Sequence, residues 1–83
     1  MNKRHNQTVK DFAIAGFVAS PSCAKYGLVM GIEGNEVNVF WEGHEVPYFV
    51  LPTAMSSIAD ADIPQSVKES LLRKASQYTE VAA

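Results

Sequence analysis

Residues 26–43 read Tyr-Gly-Leu-Val-Met-Gly-Ile-Glu-Gly-Asn-Glu-Val-Asn-Val-Phe-Trp-Glu-Gly, and no other stretch limits the fold so tightly. Two apolar runs of strand length flank Gly34-Asn35. Within each run the apolar residues recur at every second position. Leu28, Met30 and Ile32 fall on one face of the first run, and Val37, Val39 and Trp41 on one face of the second. Side chains alternate across a strand, so this period predicts two half-buried antiparallel strands. Gly34 and Asn35 both tolerate positive φ, which a two-residue hairpin loop demands.

The flanking chain extends the β pattern. Gly16-Phe17-Val18-Ala19-Ser20 reads as a first strand, stopped by Pro21, which cannot donate to a ladder. Glu42-Gly43-His44-Glu45 reads as a second turn. Residues 46–51 alternate again, with Val46, Tyr48 and Val50 on one face, and Pro47 marks this strand as an edge or a bulge. Pro52-Thr53-Ala54-Met55 predicts one helical turn, and Ser56-Ser57-Ile58 a short closing strand. Five short strands joined by tight turns predict a small barrel. After a linker at residues 59–62 the period becomes helical: Ile63, Val67, Leu71, Ala75 and Tyr78 share one face. The expected class is mainly β, a small five-stranded antiparallel barrel followed by one C-terminal amphipathic helix. Its divisions are a flexible basic arm over 1–12, the barrel over 13–58, the linker over 59–62 and the helix over 63–80.

At 83 residues the chain has material for one domain and one modest core. It contains no apolar run of the ~18 residues that span a bilayer, and no apolar segment with a cleavage site follows the basic N-terminus. A soluble, cytoplasmic protein is expected. Cys23 stands alone, so no internal disulfide forms, and with His5 and His44 it makes no recognised metal-ligand spacing. Neither histidine sits in a pattern that supplies a nucleophile, a base and an orienting carboxylate. Gly27, Gly31 and Gly34 lack the spacing and the following lysine of a phosphate loop. The expectation is a non-enzymatic protein without a cofactor.

Several segments together resemble SH3-like barrels, the group that includes KOW and Tudor domains. They are Gly16-Phe17-Val18, Tyr26-Gly27-Leu28-Val29, Val37-Asn38-Val39-Phe40-Trp41-Glu42-Gly43, and Val50 with the tail Leu51-Pro52-Thr53-Ala54-Met55-Ser56-Ser57-Ile58. The likeness covers about half the chain, leaves the C-terminal helix outside, and is strongest toward the small SH3-like proteins that bacteriophages encode. It implies the fold more firmly than any role, because such barrels host many unrelated functions. A phage-like appearance makes a larger host protein machine, such as RNA polymerase, the partner implied by analogy.

Charge narrows the partner classes. No Lys or Arg occurs between Lys25 and Lys68, while Glu33, Glu36, Glu42, Glu45, Asp60 and Asp62 all lie there. Phosphate contacts supply most nucleic-acid affinity, so an acidic sheet disfavours that partner. Phe40 and Phe49, opposite in face to Val39 and Tyr48, could form an exposed apolar patch framed by Glu42 and Glu45, unless the C-terminal helix packs over them. The leading expectation is a protein-binding regulator or adaptor using Phe40, Glu42, His44, Glu45 and Phe49, assisted by Lys3, Arg4 and Lys10. One alternative is a KOW-like nucleic-acid binder using Lys3, Arg4, Lys10, Lys25, Lys68, Arg73 and Lys74. The other is a virion or assembly component that pairs through the edge strand containing Pro47.

Overall fold

The central hairpin forms as its alternation requires. The structure, a computed structural model, describes residues 9–21 and 24–82. Strand β1 (Phe17–Ala19) is followed by β2 (Tyr26–Glu33) and β3 (Glu36–Trp41), then by β4 (Tyr48–Val50) and β5 (Ser56–Ile58). All pairings are antiparallel, in the order β4-β3-β2-β1-β5. A 3-10 turn at Pro52–Ala54 joins β4 to β5. Helix α1 (Gln65–Ala82) closes the chain.

In the hairpin loop Gly34 takes φ +61° while Asn35 does not adopt a positive φ. One left-handed residue at the first loop position is the type II′ requirement, so the loop depends on Gly34 rather than on both residues. A register shift between Val29 and Gly31 corrects the expected facing of β2. The extra residue keeps Leu28 and Met30 on one face but turns Ile32 to the other, directly opposite Val37.

The sheet does not close into a barrel. Strands β4 and β5 lie at opposite edges, and each has a hydrogen-bonded neighbour on one side only. The connection between the two edges is nevertheless short. In a flat sheet four strand spacings would separate these edges by roughly 19 Å. Six Cα steps, three of them in a 3-10 turn, span only about 16 Å. The connection from Val50 to Ser56 therefore draws the edges toward each other without pairing them.

Both faces of the sheet are buried at its centre, beyond the half-burial that alternation predicts. On one face Val18, Val29, Val37 and Val39 pack with Phe12 and Met55, and Trp41, Val50 and Val9 border them. On the other, Phe17, Leu28 and Phe40 pack against Ile63, Leu71 and Ala75, with Val67 and Tyr78 alongside. The helical stripe predicted from sequence is the stripe that docks. Helix α1 begins two residues later than expected because Ile63 precedes a proline and stays extended (φ −105°, ψ 136°). Pro64 then offers its carbonyl to the Lys68 amide.

The boundary of the N-terminal arm also shifts. Val9–Asp11 forms a 3-10 turn and Phe12 is buried, so residues 9–12 belong to the packed domain. Beyond them, at Ala13–Gly16, Ala15 holds φ 73° in a turn closed by a Gly16 amide to Ala13 carbonyl bond. Among the described residues no helix is long and apolar enough to cross a membrane.

Candidate protein-binding surface

The residues singled out from sequence separate into three environments. Phe40 is 2% exposed, beneath α1, with its ring edge-to-face against Tyr78 at 5.8 Å between centroids. It is a core residue and offers no surface contact. The cause is the docking of α1 over β2 and β3, the alternative that alternation alone left open.

Glu42 and His44 serve the turn that follows β3. The Glu42 carboxylate accepts a 2.8 Å bond from the Tyr26 amide, while the Glu42 amide donates to the Tyr26 carbonyl. Glu42 thus finishes the β2–β3 ladder where regular pairing stops. The turn reverses through Gly43 at φ +79°, and the His44 amide donates to the Trp41 carbonyl. The half-buried His44 ring stands edge-on to Tyr48 at 5.1 Å. Glu45 is exposed and lies 4.0 Å from Lys74 of α1. With Phe40, Gln77 and Tyr78 these two line a shallow cleft of about 280 Å³.

Phe49 lies apart from all of these. It pairs with Asn38 across β3 and is 51% exposed. With Gly31, Ile32, Glu33 and Asn38 it lines a groove of about 310 Å³ at the end of the sheet that α1 does not cover. Tyr48 beside it and Leu51 just after β4 are also about half exposed, so apolar side chains stand along this free edge, Phe49 on one face and Tyr48 on the other. Tyr48 sits opposite Val39 on this edge strand, with the His44 ring edge-on to it. Phe40 joins the helix-side core, Trp41 borders the opposite one, and Phe49 is exposed.

Ile32, Glu33 and Glu36 complete this surface and were missed as contact residues. Strict alternation placed Ile32 with Leu28, on the face of Phe49; the register shift beside Gly31 sets it opposite Val37 instead, and it borders the groove from there. Glu33 and Glu36 face each other directly at the hairpin end, and both are exposed. Lys10 is exposed on the Val9–Asp11 turn. Lys3, Arg4, His5 and Cys23 lie outside the described residues. Of the remaining basic residues, Lys25 and Arg73 are exposed, Lys68 is half-buried, and Lys74 engages Glu45. Glu69 accepts a bond from Gln65 four residues earlier on α1.

Sheet, helix and exposed edge together define a small mainly-β domain: five antiparallel strands in one sheet with a single C-terminal helix. No family model, curated protein or solved structure matches the chain.

Proposed function

We propose that this chain is a non-enzymatic protein-binding module that presents the uncovered end of its sheet to a larger protein. One observation carries the reading. Phe49 and Tyr48 on a free edge strand, and Leu51 just after it, stay about half exposed although the same fold buries Phe40 almost completely. Contiguous exposed apolar side chains with a polar rim are what interaction surfaces are made of. The strand order and the 3-10 turn before β5 support the SH3-like resemblance. That resemblance, and its phage-like cast, make a bacterial RNA polymerase the first large machine to test as partner.

A photo-crosslinking residue at position 49 tests the proposal, with the same residue at exposed Ser76 on α1 as control. The module reading expects a protein adduct from position 49 that survives nuclease treatment and is absent from position 76. Adducts to nucleic acid alone would favour the KOW-like alternative. Adducts to another copy of the chain would favour an assembly role.

A further inference from the structure

We infer that the groove lined by Gly31, Ile32, Glu33, Asn38 and Phe49 receives a short segment of a partner protein in which an apolar anchor side chain lies close to Lys or Arg. This rests on the protein-binding reading and names the chemistry of the partner.

The groove supplies the anchor site. At about 310 Å³ it stands at the lower end of the range for small-ligand pockets, room for one large side chain rather than a cofactor. Its floor is open because Gly31 has no side chain, and a Cβ placed there would meet nothing within 4 Å. Phe49, 51% exposed, gives it an apolar wall, and Ile32, 38% exposed and turned to the other face, borders it. The free edge beside it is short, since Pro47 and Pro52 bound the three residues of β4. Extended backbone pairing is therefore limited, and side chains in the groove must supply most of the affinity.

The rim selects the charge. Glu33 and Glu36 stand directly opposite one another across the end of the hairpin. Like charges at paired positions destabilise a sheet, and among the described residues no cation pairs with either. The fold gains nothing from this repulsion, whereas a Lys or Arg brought by a partner relieves it. No Lys or Arg of this chain lies anywhere in residues 26–67 to blunt that field. A second copy docked through the same patch would set the acidic rim against itself. A phosphate backbone would be repelled. A basic, apolar protein segment satisfies both walls and rim.

The test selects random nonapeptides displayed against the full chain, then titrates the enriched peptides against wild type, Phe49→Ser and the double variant Glu33→Gln/Glu36→Gln. Both variants alter exposed side chains, and cooperative melting, unchanged for Phe49→Ser and unchanged or raised for the double glutamine variant, confirms that they fold. The expected enriched motif pairs an aromatic or aliphatic residue with Lys or Arg within three positions. Phe49→Ser should weaken these peptides about tenfold or more. The double glutamine variant should weaken them roughly fivefold to tenfold, and raising salt from roughly 50 to 500 mM should act in the same direction. Peptides that need Phe49 but carry no basic residue and ignore the glutamines would overturn this inference and leave the protein-binding reading standing. Absence of any peptide that depends on Phe49, together with binding of a single-stranded or duplex oligonucleotide, would overturn both. Concentration-dependent dimerisation abolished by Phe49→Ser would overturn it in favour of self-association.

Discussion

Phe40 and Phe49 occupy the same face of the sheet on adjacent strands, yet one is 2% and the other 51% exposed. The difference lies in the path of α1, which packs chiefly over β2 and β3. Leu71 and Ala75 seal the region around Phe40, and Tyr78 completes it. Beyond that footprint the same apolar face continues over Gly31 and Phe49 without cover. Burying a phenylalanine contributes roughly 1.5–3 kcal/mol, so the uncovered one represents stability that the fold leaves unclaimed. One end of the face holds the domain together and the other stays exposed, which is what the proposed recognition surface requires.

Substitution separates the two ends. Phe40→Ala should cost about 3–5 kcal/mol in urea unfolding, because it opens a cavity between sheet and helix. Phe49→Ala should stay within about 0.5 kcal/mol. Equal losses would erase the distinction. The same contrast holds along the helix: buried Leu71→Ala should cost about 2–5 kcal/mol, while Leu72→Ala, 45% exposed, should cost about 0.5 or less.

The opposite face of the sheet is packed as tightly as the helix side, and Gly27 sharpens that point. A Cβ there would stand 2.5 Å from Val39 Cγ1 and 3.0 Å from the Trp41 ring. Gly27→Ala should therefore destabilise by about 1–3 kcal/mol, although alanine in an open strand position would help. The smallest effect has the reverse sign. Ala15 holds φ 73°, so Ala15→Gly should relieve backbone strain and stabilise by about 0.5 kcal/mol, after the entropy that glycine adds to the unfolded chain. A rise of about 2–4 °C in Tm would register it.

Much of this was legible in the sequence because period-2 and period-3.6 patterns state which residues need burial. The hairpin, the turn at Pro52–Ala54, the short last strand and the docking stripe Ile63, Val67, Leu71, Ala75 and Tyr78 all follow from spacing. What spacing does not state is where two amphipathic surfaces meet. Phe40 and Phe49 have the same parity and chemistry, so only the placement of α1 tells them apart. The bulge beside Gly31 was hidden for a related reason: alternation counts residues, and one extra residue reverses every later facing, as it does for Ile32. Barrel closure failed as an expectation because tight turns limit strand separation but do not make three-residue edge strands pair.

The division of that one face is tested most directly by fluorine labels on Phe40 and Phe49, read by NMR while a soluble nitroxide is added. The account predicts strong broadening of the Phe49 signal and almost none of the Phe40 signal. Comparable broadening of both, or protection of Phe49 in the isolated chain, would contradict it.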